Sequence, residues 1–173
     1  SALITAYATW HMQRIESQYH ELLGQQADAA SKVGTVRQHL SDASAVVHAA
    51  LTANDEDQLL LEKEHLTKIQ QTFEADLTAI YPLLPQHELV LDTIFTQARH
   101  MFTAGHHVMT SALRWRSDSA LLVLSQSFMP ALEQLQAEVD GLRVESQKVF
   151  EQASQDLAHN TQNTIAKTTW AGW

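Results

Sequence analysis

With 173 residues, 45% of them hydrophobic, the chain is long enough to bury one core of its own as a single domain. Its formal charge is -9, with 11 Lys and Arg against 20 Asp and Glu and no basic tract, which argues against a nucleic-acid partner because phosphate binding needs cations. The lack of cysteine excludes disulfides, thiolate metal sites and a cysteine nucleophile, while five glycines, three prolines and 7% aromatic residues favour helix over sheet.

The first stretch, Ala2 to Trp10 (ALITAYATW), is apolar with aromatics, and the last four residues are Trp170-Ala171-Gly172-Trp173. Trp and Tyr gather at membrane–water interfaces, so both ends read either as juxtamembrane or as frayed ends of a soluble chain. No apolar run approaches the ~20 residues needed to span a bilayer.

The first helix is expected over about residues 3–53. Its seam runs Met12, Ile15, Tyr19, Leu22, Gln26 and Ala29, then Val33, Val36, Leu40, Ala43, Val47 and Ala50, in alternating steps of three and four. Such steps make the seam of a helix bundle. A helix of ~50 residues would be ~75 Å long, which suits an elongated bundle. Beside the seam, Arg37, Ser41, Ser44 and His48 form a polar line. A fixed cation, two hydroxyls and a titratable imidazole can hold a small anion, though such a line can equally be a solvated flank.

Thr52 to Asp57 (TANDED) is the first break, with Asn54 as N-cap and acidic residues in the next first turn. The second helix is expected over about 55–81, with Leu59, Leu66, Ile69, Phe73, Leu77 and Ile80 inward, and ends at Pro82. The third, over about 85–116, opens near Pro85 and carries Leu91, Ile94, Ala98, Met101, Gly105, Val108 and Ala112. Gly105 on that seam permits close approach of a neighbour. The fourth, over about 118–169, is capped by Ser117 or Ser119 and points Leu121, Leu124, Phe128, Leu132, Leu135, Val139 and Leu142 inward, then Val149, Ala153 and Leu157. Pro130 should kink it or loosen its hydrogen bonding.

The expected fold is all-α: an elongated, antiparallel, up-down-up-down four-helix bundle, because short connections make neighbours antiparallel. The two long outer helices would overrun the inner two at the end holding both termini, as a stalk joining two membrane helices would.

The order of helices, the residues Val36-Arg37-Gln38-His39-Leu40 through Ala49-Ala50-Leu51-Thr52-Ala53-Asn54, and the segment Leu124-Ser125-Gln126-Ser127-Phe128-Met129-Pro130 resemble the four-helix-bundle periplasmic sensor domain of bacterial chemoreceptors, the methyl-accepting chemotaxis proteins. The resemblance covers about residues 12 to 160. In that family's aspartate and serine receptors the domain is a homodimer. Arginines on helix one of both subunits hold the ligand carboxylates, and groups at the start of helix four hold its amino group. The matching positions here are Arg37, Ser44 and His48 on helix one and Ser125 and Gln126 on helix four. One arginine stands where the aspartate receptor has three. That turns the expectation toward another small carboxylate, a C4-dicarboxylate or citrate-like organic acid, ahead of an aromatic acid or an amino acid. The resemblance implies an inner-membrane protein anchored on both sides of this periplasmic domain, with a dimer whose state can depend on ligand. It implies a displacement of helix four as output.

Helix three must then supply cations that helix one lacks. Arg99 and Arg37 lie at levels differing by about 5 Å if the helix ends align, so they can form a clamp, or Arg99 can simply meet a surface carboxylate. Arg114 and Arg116, with Trp115 between them, read as decoration of an exposed turn rather than a second anion contact. Ten histidines are present, but His106 and His107 point in different directions, and the single Glu-x-x-His, Glu62 to His65, lacks the second that a di-iron bundle needs. No glycine-rich phosphate loop, G-x-S-x-G or H-E-x-x-H occurs. No catalysis, metal or cofactor is expected. The competing readings are the sensor domain of a membrane histidine kinase and a soluble helical interaction or carrier module without a ligand site.

Overall fold

The computed structural model describes the backbone of residues 1–171, and side chains through residue 159 and at 162. It is all-helical, with four helices: α1 (Ala2–Leu51), α2 (Glu56–Ile80), α3 (Glu88–Leu113), and a fourth made of α4 (Ser117–Val123), a π turn (Leu124–Phe128) and α5 (Met129–Ala171). Contacts divide the chain into two units, Ser31–Arg143 and Ser1–Ala30 with the residues from Val144 on.

The first unit holds the core. Val33, Val36, Leu40, Ala43, Val47 and Ala50 are all buried, as their three-four spacing requires. Leu59, Leu66, Phe73, Leu77 and Ile80 of α2 join them. On α3 the buried stripe is wider than one seam, because Phe102 and Met109 are buried beside Met101 and Val108. Phe102 meets Phe73 edge-on with ring centroids 5.6 Å apart. Gly105 sits where the packing is closest. A Cβ there would lie 3.2 Å from Leu66 Cδ2, 3.3 Å from Phe128 Cε2 and 3.3 Å from Val47 Cγ2.

Polar pairs join the helices around this core. His39 Nε2 is 2.7 Å from Asp76 Oδ2, linking α1 to α2. His106 Nε2 is 3.1 Å from Gln70 Oε1, linking α3 to α2. Gln97 Nε2 donates to Glu138 Oε1 at 2.9 Å, linking α3 to α5.

The helix ends differ from expectation in four places. Asp55, not Asn54, caps α2: its Oδ1 accepts the Gln58 N–H at 2.7 Å, the bond an N-cap makes to the third residue of the helix. Pro85 opens a separate 3-10 turn, Pro85–His87, before α3 begins at Glu88. Neither Ser117 nor Ser119 caps α4; Arg116 takes that place without a side-chain cap. Leu121 is 51% exposed, and Ala120 occupies the buried position instead. The cause of the last two lies in the turn before them. Trp115 N–H donates to Ala112 O at 2.9 Å and Arg116 N–H to Ser111 O at 3.0 Å, the paired bonds of a Schellman cap. Trp115 therefore takes φ 56°, a left-handed conformation that glycine usually fills and that costs another residue about 1–2 kcal/mol.

Pro130 acts as expected. It offers no N–H, and its ring would crowd the Gln126 carbonyl. The chain responds one residue earlier: Met129 N–H reaches back five residues to Leu124 O, and the helix widens into the π turn.

In the other unit, Gln26 and Ala29 are buried and Met12 and Tyr19 half-buried, but Ile15 and Leu22, expected inward, are exposed. Leu3, Ile4, Tyr7 and Trp10 are also exposed, Leu3 at 86%. Tyr7 packs beside Trp10 and His11, and the Arg14 guanidinium lies 5.5 Å from the Trp10 ring centre. The aromatic end at Trp170 to Trp173 lies outside the described side chains. No helix, over the described residues, is long and apolar enough to cross a membrane.

Candidate functional site

The polar line of α1 follows directly from its seam. A residue one step after an inward position lies on the flank, so Arg37 after Val36, Ser41 after Leu40, Ser44 after Ala43 and His48 after Val47 line up along one edge. Arg37, Ser41 and His48 are exposed and Ser44 is half-buried.

Arg37 reaches α5. Its Nε is 2.6 Å from Asp140 Oδ1, with the two side chains 47% and 40% exposed. The N–H does not line up with the oxygen, so the contact is an ion pair without a well-formed hydrogen bond. On the same part of α5, Glu138 Oε2 and Arg143 Nε are buried and have no hydrogen-bond partner. Buried polar atoms are normally satisfied, and these two are exceptions.

Ser44 and His48 are brought together. His48 Nδ1 is 2.7 Å from the Ser44 carbonyl oxygen and 3.5 Å from Ser44 Oγ. A carbonyl only accepts, so Nδ1 is the donor in this contact.

Ser125 and Gln126 are exposed on the π turn, and Ser125 Oγ donates to Leu122 O at 3.3 Å. Val47 and Phe128 both abut Gly105, so His48 and the π turn lie near one level of the core.

Arg99 has a different neighbour from Arg37. It is exposed, with its guanidinium 4.8 Å from the Phe95 ring centre on its own helix. Arg37 and Arg99 are thus held by Asp140 and by Phe95. The acidic partner of Arg37 was not anticipated from sequence. The only signal for it is that Asp140 follows the inward Val139, which sets it on a flank of α5.

Two further features emerge only in the structure. His106 is half-buried, and its pKa is lowered, first by desolvation and then by Lys63. A cleft of about 100 Å³ opens beside Trp115, with Ala50, Ala53, Leu59, Ala112 and Ala120 among its walls. Among the described residues no three His, Asp or Glu side chains converge as metal ligands.

The chain matches no family model, no curated protein and no solved structure.

Proposed function

We propose that this chain is the extracytoplasmic sensor domain of a transmembrane chemoreceptor that binds a small carboxylate and signals by helix displacement. The observation that carries the reading is the Arg37–Asp140 contact, a half-exposed guanidinium joining α1 to α5. A small dicarboxylate entering along the α1 line exchanges for Asp140 as the partner of Arg37, with Ser41 and Ser44 beside it and Arg99 serving a second carboxylate. At 1.5 Å per residue His48 stands about 16 Å further along α1, and Ser125 and Gln126 about 20 Å from Asp140 along the fourth helix, beyond the reach of that molecule. The exchange removes one tie between α1 and α5, so ligand favours a packing in which the fourth helix has slid by about 1–2 Å.

The finer architecture in this reading is an antiparallel up-down-up-down bundle. It is supported by contacts whose numbers run in opposite senses: along α2 and α3, Phe73 meets Phe102 while Leu66 abuts Gly105, and along α1 and the fourth helix, Arg37 meets Asp140 while Val47 and Phe128 share the level of Gly105. The reading includes a homodimer and membrane anchoring of the parent protein. The exposed Leu3, Ile4, Tyr7, Trp10, Ile15 and Leu22 support both, since apolar side chains left in water at one helix end ask for a second copy or a bilayer surface.

The deciding experiment is a thermal-shift screen with C4-dicarboxylates, citrate, aromatic acids and amino acids. A ligand at 100 times its dissociation constant adds ~2.7 kcal/mol of stability. The expected result is a rise with a di- or tricarboxylate that is absent in Arg37→Ala. No rise with any acid would overturn the sensor reading in favour of a helical interaction module.

A further inference from the structure

Trp115 is in the wrong place for stability. It occupies the left-handed position that ends α3, where glycine carries no steric penalty, and its side chain is 63% exposed. A bulky residue at positive φ is a genuine outlier, and such outliers collect where a side chain is needed for something other than folding. Here the need is visible, because the indole forms one wall of the cleft of about 100 Å³.

The other walls come from three separate parts of the chain. Ala50 and Ala53 close the end of α1, Leu59 rises from α2, and Ala112 and Ala120 lie on either side of the α3–α4 turn. Four of these five end at Cβ, and that is why there is space between the helices. These five side chains are apolar, and Ser117 brings a hydroxyl to the same lining. The volume equals roughly three to four water-sized volumes, room for about four carbon atoms and too small for a benzene-sized cavity of ~150 Å³. Arg114 and Arg116 flank Trp115 in the chain and are exposed.

We infer that this cleft is a second binding site, taking a short branched aliphatic carboxylate whose apolar body packs against Trp115 and whose charge meets the flanking guanidinium groups. Removing that apolar body from water favours binding. The carboxylate sets orientation through charge-assisted contacts with arginine. The site is independent of the Arg37 reading: it lies at the α3–α4 turn and shares no residue with the α1 polar line.

Isovalerate is the probe, titrated calorimetrically into the full chain, with acetate and isovaleramide as controls for the apolar body and the charge. Saturable isovalerate binding is expected in the wild type and in Arg37→Ala, with both controls at least about tenfold weaker. Trp115→Phe keeps a ring and retains binding. Trp115→Gly weakens it by at least about tenfold, while its melting temperature equals or exceeds that of the wild type. The inference is overturned if isovalerate does not bind, if Trp115→Gly binds it unchanged, or if that variant melts below the wild type, which would make the indole a structural prop. Equal binding of acetate or isovaleramide overturns the assigned ligand class. Loss of isovalerate binding in Arg37→Ala assigns the probe to the other site and overturns this one.

Discussion

Arg37 Nε lies 2.6 Å from Asp140 Oδ1, so the one arginine of the α1 polar line is also a tie between α1 and α5. Both side chains are close to half exposed, and pairs of that kind contribute only ~0–1 kcal/mol. Arg37→Ala is therefore expected to lower stability by no more than about 1 kcal/mol in urea unfolding while removing the organic-acid thermal shift. Asp140→Asn takes away the internal competitor. Ligand affinity is expected to rise about three- to tenfold, measured by calorimetry; a fall would mean that Asp140 helps to build the site.

Gly105 and Gly34 make opposite predictions from the same substitution. A methyl group at Gly105 meets three buried side chains at 3.2–3.3 Å, from α1, α2 and the π turn, and none can retreat into solvent. Overpacking of that kind costs about 1–3 kcal/mol, more than the ~1 kcal/mol gained from helix propensity. Gly105→Ala should lower the melting temperature by about 2–4 °C. At Gly34 nothing lies within 4 Å of the added Cβ, so Gly34→Ala should raise it by a similar amount.

His106 makes stability depend on pH. Burial, and then Lys63, lowers its pKa below the ordinary 6.5, so the folded state prefers the neutral ring. The unfolded chain binds the proton more readily, and stability rises with pH wherever that holds. The contribution is complete above pH ~6.5 and is lost as pH falls through the folded value. His106→Gln should flatten this part of a melting-temperature profile between pH 7 and 5.

At the alkaline end, Tyr81 behaves in the opposite sense. Its OH donates to Asp92 Oδ1 at 2.6 Å, and its pKa is pushed up to about 12 by desolvation, that hydrogen bond and the charges of Asp92 and Glu88. A raised folded pKa gives stability that is present below pH ~10 and lost as pH climbs toward 12. Absorbance at 295 nm should report one tyrosine titrating near pH 12, and that step should vanish in Tyr81→Phe.

Exposed apolar residues on α1 predict self-association. Leu22 is 43% exposed on a helix face that also carries Ile15. Leu22→Glu should shift the chain toward monomer in sedimentation velocity at concentrations where the wild type associates, with the helical circular dichroism unchanged. A wild type that stays monomeric at every concentration would remove the homodimer from the proposed function.

The amino-acid sequence by itself determined what depends on neighbours along the chain. The three-four spacing from Val33 to Ala50 becomes a wholly buried seam, and the breaks at TANDED and at Pro82 to Pro85 separate the helices where expected. Pro130 announces its loosened hydrogen bonding because the missing N–H is a covalent property of the residue. Periodicity also placed Arg37, Ser41, Ser44 and His48 on one edge. What only the tertiary structure decided is which residues meet across helices. Asp140 beside Arg37, Gln70 beside His106 and the left-handed turn at Trp115 depend on axial register between helices and on how each chain reversal is closed. A shift of a single turn, 5.4 Å, would exchange every one of those partners while leaving each helix and its apolar stripe unchanged.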